Sequence, residues 1–559
     1  MSKLKKVLPL LLLMSLCVSA CSTPPTAPPA VSVSEVPAAV ATAAPAATAA
    51  PAPTDEPFVP TAMPTIANVK VAGAGPVLTL DVRKSGDLVS VNIILLTQGI
   101  LYRHDAYGVE RPELAESLST SADGLTNTLK LKKGQKYSDG TPVTATDVKY
   151  AFDKLQDDGA GKSLPNITFV QSIASVSVVD DLTAVFTMKY PDPDILNALS
   201  GRAMALNPAA LMQSDPDYLL HPVSAGPYMV EEYTPNKSIH LVENPNYIGG
   251  PMVVKSIDVI YVPDMTSKVL QLATGALDFV WDLPIAAKDS LPPEIKQFTV
   301  DVNGANTLFV NMNPKGKAGS KFADVRVRQA MSLAINRQAI ADKAFAGLVK
   351  PLTSFWAPCS YCPEGMLPNG GKQDVEAAKK LMAEAGVTEI AAEMLVSSTR
   401  GGWKEGALLA AADLKEIGIT LTVSPVDEAT WNGAVAKDNF EVVFNGGASS
   451  PQATISSWFG NGYSATHSGY VLTKDHDLLL PMIEKMAQEL DPIKRKELMT
   501  QIQLIGRDTM PYIPLVNRIA LDGTRLPDGV LTVSQPSVGY MIFQTVLEQS
   551  FGKAAGTMN

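Results

Sequence analysis

The sequence predicts a mixed α/β protein of several domains, and three observations lead to this prediction. The chain has 559 residues, of which 46% are hydrophobic and 18% are charged, which is typical of globular proteins with large apolar cores. At roughly 100–200 residues per domain, this length allows about three domains. Strand-like and helix-like segments are interspersed along the chain, and we find no short tandem repeat among them.

The first half of the chain shows mainly strand patterns. Alternating or β-branched residues predict strands at residues 77–82, 129–131, 176–179 and 183–188. The last two strands flank Asp180 and Asp181, so we predict a β-hairpin there. Thr144 and Asp147 have the three-residue spacing of a capping box and predict a helix that continues to Leu155.

The second half shows mainly helical patterns. They occupy residues 325–345, 375–385, 404–417, 481–490 and 492–510, and residues 419–423 predict a strand. Asp324 and Asp374 are expected to be N-caps. Gly386 and Gly418 are expected to end two of the helices, because glycine readily adopts the left-handed conformation that follows a helix.

The N-terminus is typical of an export signal. Lys3, Lys5 and Lys6 precede an apolar run over residues 7–18, which is shorter than the ~20 apolar residues that span a bilayer. The string Val-Ser-Ala-Cys that ends at Cys21 resembles a bacterial lipobox. We therefore expect residues 1–20 to be a lipoprotein signal peptide and Cys21 to carry a diacylglyceryl group; an ordinary signal peptide cut elsewhere is the alternative.

Residues 21–68 are rich in Ala, Pro and Thr and contain few charged or aromatic residues. Such a segment buries too little apolar surface to fold, so we predict a disordered linker between the membrane and the folded body. The chain has a formal net charge of -10. An acidic surface repels phosphate backbones, so nucleic acid is excluded as an expected partner.

The chain contains four cysteines. Cys17 would leave with the signal peptide, and Cys21 would carry the lipid. Cys359 and Cys362 would then remain in an oxidising compartment, where a disulfide is the expected state. A redox motif and half of a metal site are the alternatives, although the second would need another cysteine pair.

Residues 110–155 contain LAES, DGLTNTLKLKKG and SDGTPVTATDVKYAF in this order. This ordered run closely resembles the signature region of the family 5 extracellular solute-binding proteins, which bind peptides, nickel or oligosaccharides. Further matches are HPVSAGPY at 221–228, LATGALD at 272–278, and DVRVRQA with AINR at 324–337. The resemblance covers residues 75–545, and we interpret these motifs as architecture rather than ligand contacts.

The resemblance implies a two-lobed, periplasmic-binding-protein-like fold of type II, with three domains and a hinge between the lobes. Lobe 1 would contain domain I (69–112, 222–310 and 521–559) and domain II (113–221), and lobe 2 would be domain III (311–520). The implied function is that of the solute-binding subunit of an ATP-binding-cassette importer, which captures an oligopeptide- or oligosaccharide-sized ligand by lobe closure. Its partners would be this solute and the permease subunits, and we expect a monomer.

Enzyme motifs are missing from the sequence. It has five histidines, no His-Glu-x-x-His, no Gly-x-Ser-x-Gly and no phosphate-binding Gly-x-x-x-x-Gly-Lys-Ser/Thr. Adjacent acids such as Asp157 and Asp158 are interpreted as turn residues. We therefore expect no catalytic residue, cofactor or metal site. A lipoprotein surface hydrolase and a ligand sensor are the alternative functions.

The ligand prediction depends on one departure from the family pattern. Peptide-binding members carry an aspartate that pairs with the peptide's α-ammonium group, and Ser449 stands at that position here. A buried ammonium group without a carboxylate is costly. This departure favours neutral hydroxylated ligands such as oligosaccharides over peptides with a free N-terminus.

The candidate ligand-binding residues follow from position in the family. They are Tyr102, Trp356, Asn445, Gly446, Ser449 and Trp458. Aromatic faces and polar side chains suit sugars and peptides alike. For each of the five tryptophans, Trp403 and Trp431 among them, the competing interpretation is a core residue.

Overall fold

The computed structural model describes fifteen ranges of the chain. They are 65–73, 75–85, 87–104, 110–159, 170–202, 204–301, 307–313, 319–354, 364–437, 439–447, 476–510, 512–517, 519–528, 530–533 and 541–543. Residues 59–559 form one compact unit, which contains all the described residues. The predicted signal peptide, most of the predicted linker and all four cysteines lie outside these ranges.

The strands are numbered along the chain. They are β1 (Val69–Ala72), β2 (Tyr102–His104), β3 (Glu110–Pro112), β4 (Ala115–Thr120), β5 (Thr126–Leu131), β6 (Ile173–Asp180), β7 (Thr183–Met188), β8 (Tyr228–Thr234), β9 (Ser238–Glu243), β10 (Ser256–Ile260), β11 (Phe279–Val280), β12 (Lys296–Asp301), β13 (Thr307–Met312), β14 (Ile390–Ser397), β15 (Ile419–Val426), β16 (Val442–Gly447), β17 (Tyr512–Asn517), β18 (Ile519–Thr524), β19 (Leu531–Val533) and β20 (Met541–Phe543). The predicted hairpin around Asp180 and Asp181 is confirmed as β6 and β7.

The helices are numbered in the same way. They are α1 (Leu88–Thr97), α2 (Ala145–Gly159), α3 (Ile195–Asn197), α4 (Ala209–Ser214), α5 (Met265–Thr274), α6 (Gly319–Phe322), α7 (Val325–Ala334), α8 (Arg337–Ala344), α9 (Val375–Glu384), α10 (Trp403–Lys415), α11 (Glu428–Ala436), α12 (His476–Gln488) and α13 (Pro492–Thr509). The predicted caps are confirmed: the Asp324 and Asp374 side chains accept from Arg326 N and Ala377 N, each at 2.9 Å.

Three local predictions were wrong. Asp157 and Asp158, interpreted as turn residues, lie in α2, which continues past the predicted end at Leu155 to Gly159. Residues 77–82 form no strand, because the Ser90 hydroxyl accepts hydrogen bonds from the backbone N–H groups of Leu78 and Thr79, at 2.9 and 3.3 Å. The predicted helix 325–345 is two helices. It breaks at Ile335, and the Asn336 side chain caps the second helix by accepting from Ala339 N at 2.9 Å.

Three larger sheets organise the described chain. Their strand orders are β12-β18-β11-β1-β10-β9-β8, β4-β5-β7-β6 and β15-β14-β16-β13-β17. Two-stranded pairs, β2 with β3 and β19 with β20, accompany them. Backbone pairing with the first sheet begins at Ile66, inside the predicted linker, where Ile66 N donates to Val253 O at 2.9 Å.

Apolar alternation places a core on each face of the seven-stranded sheet. Val71 and Phe279 belong to one buried cluster, whereas the next residues, Ala72 and Val280, belong to another. This follows from the two-residue period of a strand. A third core lies with the four-stranded sheet, and the largest packs the helices of the C-terminal half against the five-stranded sheet.

The chain passes twice between the seven-stranded and five-stranded sheets. The first passage joins β12 to β13, and the second joins β17 to β18 through residue 518 alone. The two sheets are therefore connected by two short segments of chain.

Two buried arginines join the helices that pack on the five-stranded sheet, and Arg337 also joins them to the sheet itself. Arg328 Nε donates to Met510 O at 2.9 Å, and its Nη1 donates to Phe322 O at 2.7 Å. Arg337 is 1% exposed; its Nε donates to Pro514 O at 2.8 Å, and its Nη1 donates to Ser332 O at 2.8 Å. Burial lowers the pKa of Arg337 to about 10, so its side chain remains charged at neutral pH.

We predict that Arg337→Met destabilises the protein by about 3 kcal/mol or more, because it removes the donors of buried carbonyl groups. The measurement is the midpoint and slope of denaturant unfolding. Arg326→Met is the matched control in the same motif, since Arg326 pairs with Asp324 near the surface and should leave the midpoint nearly unchanged. Equal midpoints for the two variants would contradict this structural role.

Candidate ligand-binding site

Three parallel strands of the five-stranded sheet end at one edge. β14 runs parallel to both β15 and β16, so their last residues, Ser397, Val426 and Gly447, share this edge. We call it the carboxyl edge. Open α/β sheets bind ligands in the crevice outside the carboxyl ends of their strands, so this edge is the candidate site.

Asn445, one of the predicted site residues, lies at the carboxyl edge. It is paired with Phe309 of β13 and is 5% exposed. Its Oδ1 accepts a hydrogen bond from Gly446 N at 2.7 Å. This contact fixes the amide group at the end of β16.

Gly446, the next predicted site residue, lies against the core. A methyl group on its Cα would lie 2.8 Å from Leu308 Cδ2 and 3.0 Å from Trp403 Cζ2. Both distances are shorter than ordinary van der Waals contact. Glycine is therefore required here so that the Trp403 indole can pack closely on the strand.

The other predicted residues are placed differently. Tyr102 starts β2, pairs with Pro112 and lies in the core of the four-stranded sheet, where burial raises the pKa of its hydroxyl. Trp356, Ser449 and Trp458 lie outside the described residues, as do Cys359 and Cys362. The structure thus brings Asn445 and Gly446 together and assigns Tyr102 to a separate core.

One group at this edge was not predicted from the sequence. The Arg400 cluster consists of Arg400, Trp403 and Trp431. Arg400 Cζ lies 4.4 Å from the centroid of the Trp403 ring and 4.7 Å from that of Trp431. The two indoles meet edge to face, with centroids 5.6 Å apart. A strand followed by Arg-Gly-Gly and a helix is the sequence signal that would have indicated it.

The loop after β14 also contacts the body of the seven-stranded sheet. A methyl group on Gly401 would lie 3.3 Å from Ile285 N and 3.7 Å from Leu283 O. Close by, Asp522 is fully buried and accepts from Asp282 N at 2.9 Å. Burial raises the pKa of Asp522 to about 8, so this carboxyl group is largely protonated at neutral pH.

A second contact joins the body of the four-stranded sheet to α12 and α13. Arg495 Nη1 lies 3.7 Å from Asp194 Oδ1. Burial raises the pKa of Asp194 to about 6, although Arg495 acts in the opposite direction. A methyl group on Gly124 would lie 3.3 Å from Leu490 Cδ1. The seven-stranded and the four-stranded sheet bodies therefore both contact the body of the five-stranded sheet, which carries the carboxyl edge.

The described ranges hold neither a metal-binding cluster nor a membrane span. Within them, no group of three or more His, Cys, Asp or Glu side chains is placed to hold a metal ion. In the same ranges, no helix has the length and apolar character needed to cross a bilayer.

The sequence pattern of the bacterial extracellular solute-binding proteins, family 5 (middle region), matches residues 110–466. The chain belongs to this family. The match includes the carboxyl edge, with Asn445, Gly446 and the Arg400 cluster. The family predicted from the sequence is therefore confirmed.

Two curated relatives illustrate the similarity. A Brucella ovis protein named as a putative ABC transporter peptide-binding protein is 30% identical over 358 residues, which are 60% of this chain and 64% of the relative. The chain thus spans less than two thirds of that relative's length. The glutathione-binding protein GsiB of Salmonella choleraesuis is 28% identical over 371 residues, 66% of this chain and 71% of GsiB.

A solved structure confirms the predicted fold class. The oligopeptide-binding protein AppA of Bacillus subtilis, in complex with a nonapeptide, superposes with a TM-score of 0.72. The superposition covers 86% of this chain and 99% of AppA, at 20% sequence identity. The family 5 protein therefore has the α/β fold of the periplasmic binding proteins.

We predict that Gly446→Ala destabilises the family 5 protein by about 1–3 kcal/mol, because the added methyl group overpacks the contact with Leu308 and Trp403. Denaturant unfolding measures the change. Gly433→Ala is the matched control: it lies inside α11, and nothing lies within 4 Å of the position that its added methyl group would take. That control should stabilise the protein by about 0.5–1 kcal/mol. Stabilisation by Gly446→Ala as well would contradict this packing.

Proposed function

We propose that this family 5 protein is the solute-binding subunit of an ATP-binding-cassette importer and that its ligand is a short peptide or a peptide-like molecule. The supporting observation is that curated relatives at 28–30% identity are named for peptide and glutathione binding. The geometry is consistent with this function, since the loop after β14, at the carboxyl edge, contacts Leu283 and Ile285 of the seven-stranded sheet body.

The domain division is part of the proposal. Domain I would be 69–112, 222–310 and 521–559, domain II 113–221, and domain III 311–520. The seven-, four- and five-stranded sheets support the three divisions in that order, although β13 and β18 cross the proposed borders by a few residues. The ligand would bind the closed arrangement of the lobes more tightly than the open one. Without this difference in affinity, ligand binding would not shift the protein toward the closed form that the permease recognises.

An oligosaccharide is the second candidate ligand. It is favoured by Ser449, which stands where peptide-binding relatives carry an aspartate for the α-ammonium group. The named relatives favour peptides instead. A hydrolase or a sensor could use the same carboxyl edge, but the family and its named members support binding for transport.

We expect short peptides to raise the melting temperature of the purified full chain in a thermal-shift screen. The panel contains short peptides, N-acylated peptides, and plant- and chitin-type oligosaccharides. A ligand at 100 times its dissociation constant adds about 2.7 kcal/mol of stability, so a true ligand gives a clear shift.

The panel separates the candidate functions. A response to oligosaccharides alone would replace the peptide ligand and leave the binding function intact. A response to N-acylated peptides but not to free ones would support the Ser449 prediction within the peptide class. Cleaved peptides in the mass spectrum after incubation would favour the hydrolase.

We also propose an extracytoplasmic location, with the protein anchored by lipid at Cys21 and working as a monomer with the permease subunits. The support is the basic, apolar and lipobox-like N-terminal sequence, together with a family described as extracellular. Two acyl chains anchor a protein stably where one does not.

We expect peptide mass spectrometry of the membrane fraction to find a mature N-terminus at Cys21 that carries a diacylglyceryl mass. Cys21→Ser should abolish this modification and release the protein from the membrane, whereas Cys17→Ser is the control that changes neither. The same mass spectra, recorded after alkylation with and without prior reduction, also test a disulfide between Cys359 and Cys362. An unmodified N-terminus at another position would overturn the anchor.

A further inference from the structure

We propose that Arg495 holds the bodies of the four-stranded and five-stranded sheets together by neutralising Asp194, so that the protein closes without help from a ligand. This inference rests on the proposed closure of the lobes, but it does not depend on what the ligand is. It assigns a role in closure to an ion pair that is made by protein groups alone.

The contact joins two parts of the molecule that lie far apart along the chain. In chain order, the four-stranded sheet is followed by α3, α4 and strands of the seven-stranded sheet, whereas α12 and α13 lie between β16 and β17 of the five-stranded sheet. The two bodies can therefore separate when the lobes open. Noncovalent contacts between them oppose this separation.

On the five-stranded side, Arg495 is held at the start of α13. Its Nε donates to Glu489 O at 3.1 Å, in the turn between α12 and α13. Only 15% of its side chain is exposed, and its Nη1 lies 3.7 Å from Asp194 Oδ1. The guanidinium is thus fixed against the neighbouring body rather than extended into solvent.

On the four-stranded side, the local structure directs the Asp194 carboxylate toward this cation. Asp194 is the N-cap of α3, where an aspartate normally accepts from the first turn of the helix, but its side chain makes no capping hydrogen bond with the described residues of α3. Its backbone N–H donates to Asp192 Oδ1 at 2.9 Å, and Asp192 Oδ2 accepts from Ser172 Oγ at 2.5 Å. The turn is therefore fixed, and the Asp194 carboxylate faces Arg495.

Negative charge is concentrated at this corner of the four-stranded body. Burial raises the pKa of Asp194 to about 6, and Arg495 acts in the opposite direction. The carboxylates of Asp192 and Glu110 also raise this pKa. Asp194 is therefore ionised at neutral pH. Arg495 supplies the positive charge that offsets it, and removal of this charge leaves partly buried carboxylates that repel one another.

Other groups of the two bodies meet beside the ion pair. A methyl group on Gly124, between β4 and β5, would lie 3.3 Å from Leu490 Cδ1. Burial raises the pKa of Tyr190 to about 12, and the charges of Asp192 and of Glu484, on α12, act in the same direction. The contact thus combines apolar packing with an excess of negative charge.

The contact affects all ligands alike. Because it consists of protein groups alone, it stabilises the closed arrangement by the same amount whichever ligand is bound. A ligand that prefers the closed form binds more tightly when this form is already favoured. Arg495 therefore raises affinity without selecting a class of ligand, in contrast to side chains that contact the ligand itself.

The test is single-molecule Förster transfer on the full chain without ligand at neutral pH. Dyes are attached through non-natural amino acids at two exposed lysines, Lys133 after β5 and Lys380 on α9, so that the transfer efficiency reports the separation of the two bodies. We expect a closed population in the wild type. Arg495→Gln should lower the ratio of closed to open molecules about 3-fold or more, and Arg495→Lys should lower it by a smaller factor.

Two further variants show whether the charge of Asp194 is the cause. Asp194→Asn added to Arg495→Gln should restore nearly the wild-type ratio, because the double variant has no uncompensated carboxylate at position 194. Lys496→Gln is the matched control, since it removes one positive charge from an exposed neighbouring position on α13. This control should leave the ratio unchanged.

The pH dependence separates neutralisation from a purely structural role of Arg495. The pKa of Asp194 is raised to about 6 in the closed contact, and removal of Arg495 raises it further. The closed form then binds this proton more tightly than the open form, so acid favours closure. We expect Arg495→Gln to recover toward the wild-type ratio at about pH 5, below this pKa, whereas the double variant shows no such recovery. If Arg495→Gln does not fold, the same recovery in Arg495→Lys gives the decision.

The outcomes distinguish this inference from the function on which it rests. A wild type that is fully open without ligand would overturn the inference, and so would a wild-type ratio in Arg495→Gln at neutral pH. A deficit that neither acid nor Asp194→Asn repairs would also overturn it, because Arg495 would then act only on the fold of α13. Ligand binding is scored separately by the thermal-shift screen, so a protein that closes but responds to no ligand contradicts the proposed function alone.

Discussion

Two buried guanidinium groups hold together the part of the molecule on which the candidate site is built. Arg328 binds the carbonyls at the end of α13, and Arg337 binds Pro514 in β17 and Ser332 in α7. These contacts join helices near the start of the domain to a strand that lies almost 180 residues later in the chain. Charged donors satisfy buried carbonyls more strongly than neutral ones. The five-stranded sheet and its carboxyl edge thus depend on arginines in the core, whereas Arg400, of the same residue type, lies at the edge itself.

Much of the local structure could be predicted from the sequence, because short-range hydrogen bonds determine it. The side chains of Asp324 and Asp374 accept from backbone N–H groups two and three residues further along the chain, and Asp180 and Asp181 connect the strands of a hairpin. One prediction failed because a more distant residue competed. The Ser90 hydroxyl takes the N–H groups that a strand at 77–82 would have used. The arrangement of these elements into a fold was predicted from the family resemblance, because no local pattern indicates it.

The candidate site was predicted less completely than the fold. Asn445 and Gly446 were identified from their position in the family, but the reason for glycine at 446 is the Trp403 ring, which comes from another segment. The Arg400 cluster combines residues from a loop, the start of α10 and the middle of α11. In the sequence, Trp403 and Trp431 are indistinguishable from core residues, and both are indeed buried. Only the folded arrangement shows that they also support a cation.

The position of β18 has a consequence for the order in which the chain assembles. This strand lies between β12 and β11, and β11 in turn pairs with β1. The seven-stranded sheet therefore joins Val69 to Thr524 and cannot be completed until nearly the whole chain is available for folding. The four-stranded sheet uses only residues 115–188, so its strands are available much earlier. Because pairing between distant segments is slow, the first residues to emerge must wait for the last ones before their sheet is complete.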